Sequence, residues 1–75
     1  MSADEMFEIL GYKNYTDDRG NLEFYKYGTQ FCNNDILYQI IFYFEDKEVC
    51  KNTIITMQEL QAINKKCLEL GWLDE

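Results

Sequence analysis

The chain contains no histidine, and with it go the commonest general base near neutral pH and the commonest protein ligand for transition metals. Glycine is scarce: the four glycines stand alone at positions 11, 20, 28 and 71, so no glycine-rich loop is present to cradle a phosphate. The three cysteines, Cys32, Cys50 and Cys67, are odd in number, widely spaced and without a CxxC pair. That pattern argues against a disulfide framework and against a zinc site, and reduced thiols are the expected state. Positive charge is also in short supply, with 7 basic residues against 14 acidic ones and a formal net charge of −7. An acidic surface repels phosphate backbones and anionic lipid, so neither direct nucleic-acid binding nor membrane binding is expected. No stretch approaches the roughly 18 apolar residues of a membrane span, and Met1 to Leu10 is acidic where a secretory signal is basic. A cytoplasmic protein without metal or cofactor is the expectation.

What the chain has in quantity is aromatic residues: six Tyr, five Phe and one Trp, 16% of 75 residues. One domain spanning residues 1–75 is expected. Ordering a chain costs about 1.5 kcal/mol per residue, which burial must offset, and large aromatic side chains let so short a chain enclose enough apolar area. Tyr and Trp are also common anchors at binding interfaces.

The clearest local signals are helix ends. Thr56 and Glu59 have the spacing of a capping box, with Ile55 and Leu60 placed for a hydrophobic staple. Gly71 after Leu70 suits the left-handed closing residue of a helix, and Trp72 falls where a Schellman motif sets an apolar residue against Cys67. Between these ends Leu60, Ile63, Cys67 and Leu70 recur at three- and four-residue intervals and predict one buried stripe. Ser2 and Glu5 repeat the box, Asp4 and Glu5 complement the dipole, and Met6, Phe7, Ile9 and Leu10 supply the apolar side of a short first helix that Gly11 and Tyr12 close.

Between the helices the pattern changes to alternation. Tyr12 to Thr16 favours an extended chain, and Asp17-Asp18-Arg19-Gly20-Asn21 is dense in turn formers. This acidic loop lacks the spacing and distant glutamate of a calcium-binding EF-hand. Leu22 to Tyr27 predicts a second strand with Leu22 and Phe24 on one face and Glu23, Tyr25 and Tyr27 on the other. Gly28 to Asp35 reads as a long turn in which Phe31 and Cys32 alternatively extend a strand. Ile36 to Phe44 is the strongest strand. Its even positions, Ile36, Tyr38, Ile40, Phe42 and Phe44, are expected to face the helices. Glu45-Asp46-Lys47 makes a turn, and Glu48 to Ile55 returns as a last strand whose register is open. The expected fold is α+β: an antiparallel meander of three to four strands flanked by a short N-terminal and a longer C-terminal helix (α-β-β-β-β-α), with short connections joining neighbours.

The odd positions of the strongest strand, Leu37, Gln39, Ile41 and Tyr43, are apolar in three cases of four, so one face of the sheet is greasier than water tolerates well. Together with Tyr25 and Tyr27, and with Glu45 and Asp46 at the rim, they are the candidate partner-binding residues. Catalytic candidates are few. Cys67 on the helix stripe and Cys50 in mid-strand are expected to be buried and inert, which leaves Cys32 in a loop as the reactive thiol, with no base to activate it. The carboxylate pairs Asp17 with Asp18 and Glu45 with Asp46 sit in turns, without the burial that separates acid from base roles. An enzyme is not expected.

The segment Ile55-Thr56-Met57-Gln58-Glu59-Leu60-Gln61-Ala62-Ile63-Asn64-Lys65-Lys66-Cys67 with Leu70-Gly71-Trp72, and the start Met6-Phe7-Glu8 to Leu10-Gly11-Tyr12, resemble small uncharacterised proteins of phages and prophages of Gram-positive bacteria. The resemblance covers both helices and hardly touches the sheet. It implies a scaffold, a genetic source and, from that source, a small product that binds and inhibits a host protein in the host cytoplasm, such as a basic nucleic-acid-binding defence complex (anti-CRISPR-like). Two alternatives stand beside this: a homodimeric accessory protein of structural role whose greasy face meets its own copy, and a thiol-based redox protein using Cys32.

Overall fold

A computed structural model describes residues 1–29 and 35–73. An N-terminal helix, four antiparallel strands in one sheet and a C-terminal helix follow one another, an α+β fold of the expected order. The chain forms two compact units, a helical one of Met1–Tyr12 with Ile55–Glu75 and a sheet of Lys13–Ile54.

In the helical unit, α1 (Ala3–Ile9) and α2 (Met57–Glu69) both begin with a complete capping box. The Ser2 hydroxyl accepts from the Glu5 N–H at 3.2 Å, and the Glu5 carboxylate accepts from the Ser2 N–H at 3.0 Å. Thr56 and Glu59 make the same exchange at 3.1 and 3.0 Å. Both helices end in a Schellman motif. Gly11 and Gly71 turn to φ of 91° and 76°. This lets the N–H groups of Tyr12 and Trp72 donate back to the carbonyls of Phe7 and Cys67 at 3.0 and 2.8 Å. A side chain with a Cβ resists that φ, which is why glycine stands there. At α1 the accompanying apolar contact is aromatic, with the Phe7 and Tyr12 rings edge to face and their centroids 5.8 Å apart.

Three polar ties set the direction of the pair. The Ala3 N–H donates to Glu69 at 2.9 Å, the Lys66 ammonium meets Asp4 at 3.1 Å, and the Tyr12 hydroxyl donates to Glu59. The start of α1 therefore lies against the end of α2, and the reverse: the helices run antiparallel. Ala3, Phe7 and Tyr12 are buried, as are Glu59, Ala62, Ile63 and Cys67. The buried stripe of α2 thus differs from the expected one. Leu60 and its staple partner Ile55 are each 46% exposed, and Glu59 is turned inward. Glu59 faces in because its two carboxylate oxygens receive the Thr56 N–H and the Tyr12 hydroxyl, so a residue that reads as a surface cap is satisfied in the interior.

In the sheet unit, β1 (Lys13–Thr16), β2 (Leu22–Thr29), β3 (Asp35–Tyr43) and β4 (Glu48–Lys51) lie in sequence order, each antiparallel to the next. Residues 17–21 turn β1 into β2, with Gly20 at φ 85°, and residues 44–47 turn β3 into β4. Leu22 pairs with Phe42 and Phe24 with Ile40 across β2 and β3, and Phe42 pairs with Val49 on β4. Directly paired residues share a face, so the even positions of β3 join Leu22 and Phe24. Phe24, Ile40 and Phe42 are fully buried, with the two phenyl rings edge to face at 5.8 Å. Farther along this face the Tyr38 ring lies over Gly28, where an added Cβ would fall 2.6 Å from the ring. The Lys26 and Lys51 ammonium groups stand 5.7 and 5.2 Å from its centroid.

The strand ends differ from expectation at five places. β2 continues to Thr29 and β3 begins at Asp35, so Gly28, Thr29 and Asp35, expected in a long turn, are ladder residues, Gly28 pairing with Ile36 and Thr29 with Asp35. β1 starts at Lys13, because Tyr12 is used in closing α1. Phe44 is 41% exposed and belongs to the turn. β4 stops at Lys51 rather than Ile55. There the Asn52 side chain takes over the ladder, accepting from the Gln39 N–H at 2.9 Å and donating to the Leu37 carbonyl at 2.7 Å. A carboxamide offers the same donor and acceptor as a peptide group, so β3 keeps its partners while the backbone of β4 leaves. The register left open by the sequence is resolved as well: Val49 and Lys51 share the face of Phe42 and Ile40, and Cys50 lies on the other.

Replacing Tyr12 with phenylalanine leaves a buried carboxylate short of a hydrogen bond, and the expected loss is about 1.5–3 kcal/mol in chemical denaturation. A Tyr12→Phe protein as stable as the parent is incompatible with the buried tie. Thr56→Ala opens the capping box and is expected to cost about 1 kcal/mol by the same measurement.

Candidate functional site

The face opposite Phe24 and Ile40 is assembled by the register of all four strands. From β3 it takes Leu37, Gln39, Ile41 and Tyr43. From β2 it takes their partners Tyr27, Tyr25 and Glu23. β1 adds Lys13 beside Tyr25 and Tyr15 beside Glu23, and β4 adds Cys50 opposite Ile41 and Glu48 opposite Tyr43. The six strand residues selected from the sequence therefore stand together. Tyr15 was not among them, because the face of a four-residue edge strand is set by its pairing alone; its tyrosine was the available signal.

Four tyrosines share the face, and the outermost are well exposed: Tyr27 at 70%, Tyr15 at 53% and Tyr43 at 38%. Near its middle the Gln39 amide donates to the Glu23 carboxylate at 3.1 Å. The carboxylate is thereby held against a neighbour instead of standing alone among apolar groups. Glu45 and Asp46 lie in the turn after Tyr43. With Arg19, Asn21, Tyr43 and Glu48 they line a cleft of about 380 Å³. The rim residues named from the sequence thus border one end of the tyrosine face.

That end is stiffened by hydrogen bonds. The Asp17 carboxylate accepts from the N–H groups of Arg19 and Asn21 at 2.8 and 2.9 Å and from the Asn21 side chain at 3.3 Å. The Asn21 side-chain Oδ1 in turn accepts from the Phe44 N–H at 3.1 Å, which ties the β1–β2 turn to the β3–β4 turn. The Asn21 N–H, with the Arg19 N–H assisting, holds the Asp17 carboxyl below its ordinary range, since donors aimed at a carboxylate favour its ionised form.

The thiols fall into three situations. Cys67 is buried, which pushes its thiol pKa up and makes it a poor nucleophile. Cys50, expected to be buried, is exposed, because β4 is an edge strand and the register turns it to the tyrosine face. Cys32, and the possible strand extension at Phe31 and Cys32, lie outside the described residues. Among the described residues no cluster of three or more Cys, Asp or Glu is placed to hold a metal ion. No helix of the described residues is long and apolar enough to cross a membrane.

The chemistry this face offers is that of contact: aromatic rings, aliphatic surface and hydroxyls on a hydrogen-bonded support, with carboxylates at one end. In comparisons with known proteins, no family model, no curated protein and no solved structure matches the chain.

Because Asp17 has a lowered pKa in the fold, its contribution to stability is fully present above the unfolded value and is lost as the pH falls through the folded one. Acid titration followed by amide NMR should therefore show the Arg19 and Asn21 amides shifting together below the ordinary carboxylate range, with Phe44 following. Asp17→Asn should remove that joint transition; its persistence would assign the effect to another group.

Proposed function

We propose that the chain is a non-catalytic protein-binding module whose docking surface is the face bearing Tyr15, Tyr25, Tyr27, Tyr43, Leu37 and Ile41. The observation that carries this reading is the gathering of four tyrosines and two aliphatic residues onto one side of a four-stranded sheet, with three of the rings more than a third exposed. Tyrosine has two rotatable bonds, a large apolar area and a polar tip, so it gains much from burial against a partner and loses little entropy. The absence of histidine and the burial of Cys67 weigh against catalysis by the usual bases and nucleophiles.

The partner class favoured by a net charge of −7 is a basic protein, since complementary charge speeds association and disfavours wrong partners. In the phage setting implied by the resemblance, the module acts in the host cytoplasm as an inhibitor, covering the nucleic-acid-binding surface of a host protein. The charge is unevenly divided. Residues 13–54 hold seven acids and five bases, whereas the remainder of the chain holds seven acids and two bases. The tyrosine face accordingly supplies contact area, and most of the attraction toward a basic partner comes from the helical unit. A face of this composition also fits a second copy of the chain, the homodimer alternative.

Capture from host extract followed by mass spectrometry tests the reading. A Tyr27→Ala, Tyr43→Ala double variant keeps the fold, because both rings are exposed, and should lose the captured protein, consistent with a loss of 2 kcal/mol or roughly thirtyfold in affinity. Capture undiminished by the double substitution would remove this face as the docking surface. Sedimentation of the unliganded protein as a dimer that the same variant dissociates would give the face to the second copy.

A further inference from the structure

We propose that the outer edge of β1 pairs with β1 of a second copy of the chain, the two strands running antiparallel about a twofold axis that passes between their Tyr15 residues. β1 ends the sheet on one side, and among the described residues no strand lies beyond it. All four of its residues, Lys13, Asn14, Tyr15 and Thr16, are exposed.

The backbone groups that this edge offers follow from the ladder. Along a strand in an antiparallel sheet, residues that exchange both hydrogen bonds with one neighbour alternate with residues that point their N–H and C=O the other way. The Asp17 N–H donates to the Asn21 carbonyl at 2.9 Å, so at alternate positions Tyr15 and Lys13 bond inward to Glu23 and Tyr25. The Asn52 N–H donates to the Gln39 carbonyl at 3.3 Å, and counting from that bond back across β3 and β2 gives the same phase. Asn14 and Thr16 are the residues left to bond outward.

Charge selects the occupant. A lysine on an edge strand ordinarily discourages strand addition, and among the described residues Lys13 has no carboxylate partner. An antiparallel copy centred on Tyr15 sets Lys13 of each molecule opposite Asp17 of the other and lets Asn14 and Thr16 exchange backbone hydrogen bonds with their counterparts. Opposite charges and aromatic rings in directly facing positions both stabilise a strand pair. The bonds that Asp17 makes within its turn leave lone pairs for a further donor. Sliding the copy by two residues loses the match, because Lys13 then faces Tyr15 or reaches Arg19 in the turn. A cation, a ring and an anion at alternate positions are their own complement, whereas a uniformly basic or acidic strand meets like charge at one end. Residues 13–54 hold seven acids and five bases, so little net repulsion within the sheets opposes the pairing. The axis stands perpendicular to the sheet, so the four strands of each copy continue into one another and both tyrosine faces look the same way, uncovered.

Five facing positions make an interface below the roughly 1,200 Å² of stable complexes, and a dissociation constant of about 0.1–1 mM is expected. The test is sedimentation equilibrium and NMR of the full-length ¹⁵N-labelled protein across that range. A dimer should form, with the Asn14 and Thr16 amides shifting with concentration and exchanging more slowly with solvent. Lys13→Glu sets like charges opposite Asp17 at both ends and should weaken the dimer about tenfold or more. Thr16→Pro removes an N–H that makes no bond within the sheet and should weaken it comparably, with the amides of β2 and β3 unchanged as proof of folding. The Tyr27→Ala, Tyr43→Ala variant should leave the dimer as it was, which separates this outcome from the docking reading. A monomer up to about 1 mM, a dimer indifferent to Lys13→Glu or to Thr16→Pro, or one that the tyrosine variant dissociates would overturn the proposal.

Discussion

The buried carboxylate of Glu59 is the constraint on which the rest of the chain depends. One oxygen closes the capping box on the Thr56 N–H, and the other receives the Tyr12 hydroxyl. Tyr12 is the last residue before β1, and Thr56 follows the segment that leaves β4. One side chain thus holds together the two points between which the whole sheet is strung, and part of the entropy of closing that long loop is offset there. A meander with an even number of strands suits such an anchor. With β1 to β4 alternating in direction, the start of the first and the end of the last lie at the same end of the sheet. A carboxylate is a demanding choice for the task, because burial penalises its charge. Donors from two separate parts of the chain, the Thr56 N–H and the Tyr12 hydroxyl, offset that penalty.

Much of this could be read from the residues because it is local. The two capping boxes and the two Leu-Gly-aromatic endings span a few positions each, and the structure repeats them bond for bond. The alternation in Leu22–Tyr27 and Ile36–Tyr43 likewise specified which side chains share a face, since a strand has a period of two whatever its neighbours do. What escaped depends on partners far along the chain. Glu59 reads as a cap and nothing more until Tyr12, 47 residues away, turns it inward and leaves Leu60 exposed. The length of β4 could not be read either. A carboxamide that completes the ladder of β3 looks, in sequence, like one more polar residue in a strand. The exposed position of Cys50 follows from the same register, which no turn signal specified.

The candidate sites divide along the same line. The tyrosine face could be assembled from the sequence because its six principal residues lie on two strands that pair over their whole length; only Tyr15, on the short edge strand, had to be placed by pairing. The outward edge of β1 was not foreseen. In sequence, Lys13 to Asp17 is a short extended stretch that runs into a turn. Which of its backbone groups point away from the sheet is decided by the hydrogen-bond phase carried from β4 through β3 and β2, and no local signal in five residues shows it.

The two units differ in kind. On the sheet, acids and bases are nearly balanced, so contact there is governed by the area of ring and methylene removed from water, a contribution that salt leaves largely intact. In the segments that form the helical unit the acids outnumber the bases by five. Excess charge of one sign raises the rate of encounter with a basic partner more than it lowers the rate of escape, and its reach ends within a Debye length. Under the proposed function, capture and retention would be separated: charge in the helical unit would govern how fast a basic partner arrives, and the exposed tyrosines how long it stays. That separation is physically economical in a chain of this size, because few residues need to serve both tasks.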